Sequence, residues 1–294
     1  MNAIEKIKNI PTVYYFNRDI DVDRREYMEH QFSKYCIHNY NRVSQDGYLK
    51  EDWHDWKNEL DNYENIECLY QHLDFHSYYK HVGSILCHMN TFKDWINNTN
   101  EDYLIIMEDD YDLSLIERWH FTWEYLMKRL PYDWDCLQFS FEIPINGLYP
   151  MFLHPKPKES VGFGAMMLTR HYVKKLLSIS YDDKGKLITQ FNTGFSKEFL
   201  DAQGGLNRST CSIDTYIGNA GTTYRIPLIT MNYDFFRKEQ KKINPEYHQL
   251  YCEQIVKKWW KHKRDNFSLE DFFTFGKPYD GLMIEEVNEE NAFF

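Results

Sequence analysis

Three consecutive acids, Glu108, Asp109 and Asp110, directly follow the apolar run Tyr103-Leu104-Ile105-Ile106-Met107. Neighbouring carboxylates repel one another, and the repulsion grows as water is withdrawn. On a surface such a triplet is ordinarily a solvated turn. At the end of a buried strand it needs a compensating cation. Hard divalent cations such as Mn2+ and Mg2+ take oxygen ligands and bridge carboxylates to phosphates. A cation held there acts as a Lewis acid on negative charge that builds on a departing phosphate. Side chains alternate along an extended segment, which puts Glu108 and Asp110 on one side and Asp109 on the other. The expectation is that Asp110, with Glu108, holds the metal, and that Glu108 or Asp109 contacts a ribose or orients the loop.

The elements that must position these acids follow from hydrophobic periodicity. Residues 10–16 read as a buried first strand, followed by the polar run 17–25 and a helix over 26–35. A second strand is predicted over 37–43, ending at the turn signal Asp46-Gly47. Residues 48–78 form an irregular excursion rich in Trp, Tyr, Asp and His. Apolar residues at steps of three and four predict a helix over 82–96. The 103–107 strand is apolar on both faces, as in a parallel sheet covered by helices. Further elements are a helix over 119–130 stopped by Pro131, a strand over 136–141 and an apolar stretch over 161–168. Thr169 is a candidate cap for a helix through Leu177, and 225–231 is the last strand. The alternation predicts an α/β fold, a nucleotide-binding sheet flanked by helices. Ligands of such sheets bind beyond the C-terminal ends of the strands, where Glu108-Asp109-Asp110 and Asn17-Arg18 fall. The expected organisation is a catalytic domain over 1–235 and a helical C-terminal extension over 236–294 with an acidic tail.

Bulk properties narrow the classes. The net charge of -11 argues against a nucleic-acid partner, because phosphate contacts supply most of that affinity. None of the six cysteines forms a C-x-x-C pair, which argues against structural zinc and predicts free thiols in a reducing, cytoplasmic compartment. The expectation includes neither signal peptide nor transmembrane segment, and the composition suits a virus or a bacterium. The run 237–264 concentrates Lys and Arg around Trp259-Trp260. It reads first as a solvated helix that packs its tryptophans on the core, and second as a basic patch for an anionic acceptor or peripheral membrane contact.

The chain resembles family 25 glycosyltransferases, the group containing lipooligosaccharide and procollagen galactosyltransferases, over roughly 10–220. The first strand followed by Asn17-Arg18 and Asp23-Arg24-Arg25 matches the family's Asn-Leu and Asp-Arg, with Arg18 replacing Leu. Asp46-Gly47 matches its Asp-Gly. Gly83-Ser84-Ile85-Leu86-Cys87-His88 keeps the Gly and His of its Gly-Cys-x-x-Ser-His helix start. Leu104-Ile105-Ile106-Met107-Glu108-Asp109-Asp110 matches its strand and Glu-Asp-Asp, and Leu130-Pro131-Tyr132-Asp133-Trp134-Asp135 matches its Leu-Pro-x-Asp-Trp-Asp. The Gly-containing strand from Gly162 and the later Ile213-Asp214 complete the order.

The resemblance implies a GT-A fold with a Mn2+-assisted donor site and inversion at the sugar's anomeric carbon, commonly from UDP-galactose. Its partners would be a nucleotide-sugar donor and a glycan or glycoprotein acceptor. Inversion needs a base for the acceptor hydroxyl, and Asp214 is the candidate; a helix cap or turn Asp is the structural alternative. Asn17, Arg18 and Arg24 are candidates for the nucleotide or its diphosphate, with a surface ion pair as the alternative for each arginine. His88 is either a diphosphate contact and support for Glu108 or a satisfied core histidine. Gly162 allows close approach of backbone to ligand or marks a bulge. Two other classes compete: a metal-dependent phosphotransferase or nuclease, and a non-catalytic nucleotide-sugar or glycan-binding module.

Overall fold

The computed structural model describes residues 1–45, 75–140, 149–156, 164–181, 183, 213–232, 234–235, 248–273 and 283–284; the side chains of 75–82, 149–150, 214–215, 248–252 and 283–284 are outside the description. In chain order the strands are β1 (Val13–Asn17), β2 (Tyr40–Ser44), β3 (Tyr103–Glu108), β4 (Tyr111–Asp112), β5 (Cys136–Gln138), β6 (Tyr149–Pro150), β7 (His154–Pro155), β8 (Ala165–Thr169), β9 (Thr223–Arg225), β10 (Thr230–Met231) and β11 (Met283–Ile284). The helices are α1 (Ala3–Lys6), α2 (Val22–Lys34), α3 (Phe75–Asn98), α4 (Trp123–Arg129), α5 (Arg170–Ser180), α6 (Ile213–Asn219), α7 (His248–His262) and α8 (Leu269–Phe273). Short 3-10 turns cover Ser114–Arg118 and Arg264–Asn266.

Seven strands form the central sheet in the order β2-β1-β3-β8-β5-β9-β7. β1 lies parallel to β2 and β3, and β5 parallel to β9, whereas β8 is antiparallel to both its neighbours and β7 to β9. The α/β class expected from the sequence is therefore what the chain adopts. β3 is buried on both faces as expected, although one neighbour is antiparallel. Cover from helices, not strand direction, accounts for its apolar run. Alternation sends Ile105 and Met107 into one core with Met28 and Phe32 of α2, and Leu104 and Ile106 into the other with Met89, Phe92 and Trp95 of α3.

Several boundaries differ from the sequence reading, each for a local reason. The expected 119–130 helix begins at Trp123 because Thr122 caps it, its hydroxyl accepting from the Tyr125 amide at 3.1 Å. Trp119 instead turns into the core, and its Nε1 donates to the Leu228 carbonyl at 3.0 Å. Thr169 caps α5 in the same way, accepting from the Tyr172 amide, as the sequence indicates. The expected 225–231 strand is broken by Pro227, which has no N–H for a ladder. β9 stays in the central sheet, and β10 leaves it to pair antiparallel with β4. α2 starts earlier than expected, β2 lies a few residues later, and α3 extends beyond both predicted ends.

The described part of the C-terminal segment shares the larger core. Ile255, Val256, Trp259 and Trp260 pack with Leu113, Leu228 and Ile229, and Trp260 Nε1 donates to the Pro227 carbonyl at 2.8 Å. The tryptophans of the basic run are thus structural. Among the described residues no helix is long and apolar enough to cross a membrane, and Cys36, Cys87 and Cys136 are free thiols.

Candidate functional site

The parallel register of β1 and β3 sets Phe16 opposite Glu108, so Asn17 and Asp109 emerge side by side at the same end of the sheet. Asn17 is fully buried, and its Nδ2 donates to Asp109 Oδ2 at 2.6 Å and to the Asp21 carbonyl at 3.1 Å. Its Oδ1 accepts from Arg42 Nε at 2.9 Å. Arg24, on the first turn of α2, donates from Nη1 to Asp109 Oδ1 at 3.0 Å and reaches Asp110 Oδ2 at 3.7 Å. The other side of its guanidinium faces the Phe235 ring at 5.5 Å.

Asp109 and Asp110 are 6% and 5% exposed, so the acidic triplet is not a solvated turn. Their arrangement corrects the expected alternation. β3 ends at Glu108, and 109–110 form the turn between β3 and β4, so both aspartates meet the same guanidinium. Burial pushes the Asp109 carboxyl above its ordinary value, and the Asn17 amide and Arg24 charge only partly oppose it.

Backbone contacts fix the turn on both sides. The Asp110 carbonyl accepts from the Asn232 amide at 2.5 Å, tying the turn to the end of β10, and the Glu108 amide donates to the Gly164 carbonyl at 2.8 Å. Glu108 Oε2 and the Tyr111 hydroxyl crowd Gly164 so closely that a Cβ there would lie 2.9 Å and 2.5 Å from them. Glycine is needed at 164 for this close approach. Gln31, buried on α2, spans the next turn: its Nε2 donates to the Tyr111 carbonyl at 2.8 Å and its Oε1 accepts from the Leu113 amide at 2.7 Å. Asp112 then accepts from Lys257 of α7 at 2.5 Å, and Lys257 also donates to Glu253 at 2.6 Å. Burial would raise the Asp112 carboxyl, but its bond to Lys257 and the ammonium charge hold it below its ordinary value.

The structure therefore gathers Asn17, Arg24, Asp109 and Asp110, with Glu108 adjoining. Arg18 does not join them; its Nε donates to Asp21 Oδ2 at 2.5 Å in a part-exposed pair. His88 lies in the core beneath β1, its ring 4.2 Å from that of Phe16 and its Nδ1 2.8 Å from the Ser84 carbonyl of its own helix. Burial pushes its pKa down to about 4, so at neutral pH it is an uncharged packing group. Gly162 lies outside the described residues, as does nearly all of 48–78. Asp214 sits in α6, anchored by the buried Ile213, and its side chain is outside the description.

Sequence reasoning missed Gln31, Arg42 and Asn232. Gln31 carried a signal, being a polar residue on the face of α2 otherwise formed by Met28 and Phe32. Arg42 carried a weaker one, a charge inside a short strand. Asn232 carried none, because it acts through its backbone. Among the described residues no three His, Cys, Asp or Glu side chains converge as a metal cage. No family model matches the chain, and no curated protein matches it.

Proposed function

We propose that the chain is a metal-dependent, inverting glycosyltransferase that moves a hexose, galactose or glucose, from a UDP-sugar to a hydroxyl of a glycan or protein. The observation that carries this reading is the burial of Asp109 and Asp110 beyond the C-terminal ends of two parallel strands, the place where open α/β sheets take ligands. A Mn2+ or Mg2+ ion shared with a diphosphate asks for one or two protein carboxylates, not a full cage, and Asp110 with Glu108 suits that demand. Bound there, the ion would supply Lewis-acid stabilisation of the leaving diphosphate.

The chain's own residues supply the rest. Asn17 and Arg24 hold Asp109 in place and keep the turn in one conformation. Gly164 leaves room for Glu108 beside Tyr111. Asp214 is the proposed base. It takes the proton of the acceptor hydroxyl as that oxygen bonds to the anomeric carbon and the bond from that carbon to the diphosphate oxygen breaks.

One observation favours the second reading, a non-catalytic nucleotide-sugar or glycan-binding module. Arg24 already lies against both aspartates, so the pair has a protein counter-ion. Calorimetry with UDP, with and without Mn2+, together with a UDP-release assay across donors and acceptors, separates the two. Mn2+-dependent UDP binding that Asp110→Asn abolishes, with turnover that Asp214→Asn abolishes while donor binding survives, supports the transferase. Binding without turnover supports the module, and an absence of UDP binding removes the transferase and the nucleotide-sugar module alike.

A further inference from the structure

A second site lies on the other side of the segment that follows the acidic turn. Between α1, the 3-10 turn at Ser114–Arg118 and the end of α7, a pocket of about 380 Å³ is lined by the cations Lys6, Arg118, Lys261 and Arg264, by His120 and Trp260, and by the carboxylates Glu117 and Asp265. None of these residues belongs to the acidic centre.

Charge in the pocket is unbalanced. Of its two carboxylates, Glu117 is engaged with Lys34 at 2.7 Å and the Tyr35 hydroxyl at 3.1 Å, and Asp265 pairs with Arg264 within the pocket itself, two acids against four cations. Arg118 and Lys261 have no carboxylate partner among the described residues. Lys6 is 5% exposed and is held in place by the Ile116 and Glu117 carbonyls, at 3.2 and 2.7 Å. Burial, and next the like charge of Arg264, keep its ammonium below its ordinary pKa, and the Glu117 charge only partly opposes them.

His120 is the second, independent observation. Both its ring nitrogens are buried, and neither has a hydrogen-bond partner among the described residues. Its ring is packed edge-on to Phe272 at 4.5 Å and to Trp260 at 6.1 Å. A buried polar group without a partner is costly and calls for an explanation, such as a ligand that completes it. The volume lies within the range of small-molecule sites.

We propose that this pocket binds a phosphate monoester. Arg118, Lys261 and Arg264 hold the phosphate through charge-assisted hydrogen bonds, and the rest of the ligand lies against His120 and Trp260. The basic run of the C-terminal segment thereby acquires a use beyond packing, since Lys261 and Arg264 come from it while its tryptophans stay in the core. The site is independent of the transferase reading.

The test is calorimetry on the full chain in EDTA and low salt, where the acidic centre repels anions, with inorganic phosphate, pyrophosphate and glucose 6-phosphate as probes. Saturable binding is expected, weakened by added salt and by about ten-fold or more in Arg118→Glu/Lys261→Glu. The melting temperature of that variant without anion checks its fold. A His120→Phe variant should keep its fold and lose affinity for the monoester. Co-sedimentation with phosphatidic acid/phosphatidylcholine vesicles identifies the source of the phosphate. Vesicle binding that the double variant loses, without binding of the free probes, assigns it to a lipid headgroup; binding of the free probes assigns it to a soluble ligand. Binding of neither, or binding unchanged in the double variant, overturns the proposal.

Discussion

The segment from Glu108 to His120 joins two charge excesses of opposite sign, a buried acidic one and a largely exposed basic one, and the protein treats them differently. At its start, Asp109 and Asp110 share the Arg24 guanidinium, and Asn17 donates to one of them. At its end, Arg118 and His120 face Lys6, Lys261 and Arg264, and of these cations only Arg264 pairs with a carboxylate of the pocket, Asp265. The acidic turn has a protein partner built into α2, so its geometry is set before any ligand arrives. The basic pocket has two carboxylates for four cations, Glu117 turned to Lys34 and Asp265 paired with Arg264. Removing a charge from the first region should therefore unbalance it, and removing one from the second should relieve it.

That contrast can be broken or sharpened by four measurements. The largest effect is expected for Arg24→Met, which removes the guanidinium shared by two buried carboxylates. Urea denaturation should show a loss of about 3–5 kcal/mol, partly restored by adding Asp109→Asn. A loss below about 1 kcal/mol would mean water, not Arg24, balances the pair.

Next is a pH effect from His88, in the core beneath β1. Its folded pKa of about 4 lies below the ordinary value, so the unfolded chain takes up the proton first as pH falls. The stability linked to it is fully present above about pH 6.5 and declines on acidification toward pH 4, by up to about 3 kcal/mol. His88→Phe should flatten that part of the pH profile. Asp109 works in the opposite sense, because its raised folded pKa favours the folded state as pH falls; Asp109→Asn should therefore steepen the acid loss.

Third, Gln31→Leu strands the Tyr111 carbonyl and Leu113 amide and should cost about 1–3 kcal/mol in the same denaturation assay. Amide hydrogen exchange should quicken around Leu113 first. The smallest effect is expected for Arg118→Ala in the basic pocket, within about 0.5 kcal/mol of the parent protein. A loss as large as that of Arg24→Met would show that the two regions are built alike.

Much of this was legible in the chain. The position of the acids after a doubly apolar strand indicated that they are not a solvated turn, because burial on both faces of 103–107 leaves little room for the next residues to escape. Asn17 and Arg24 were legible as neighbours of the site, since strand ends of an α/β sheet converge on one edge. The direction of each acid was not, because alternation holds only while the strand lasts, and β3 stops at Glu108. His88 was assigned a ligand role as one of two alternatives; its ring packs on Phe16, a contact made where α3 covers β1.

Local pattern was enough for the α/β class, the strand that delivers the acids, the Thr169 cap and the burial of Trp259 and Trp260, because periodicity and capping act over a few residues. Strand order, the antiparallel insertion of β8, the use of Arg24 as a shared counter-ion and the meeting of Lys6 with Arg118 and Arg264 arise from contacts between residues far apart in the chain. Such contacts depend on which faces pack together, and nothing in the spacing of neighbouring residues encodes that choice.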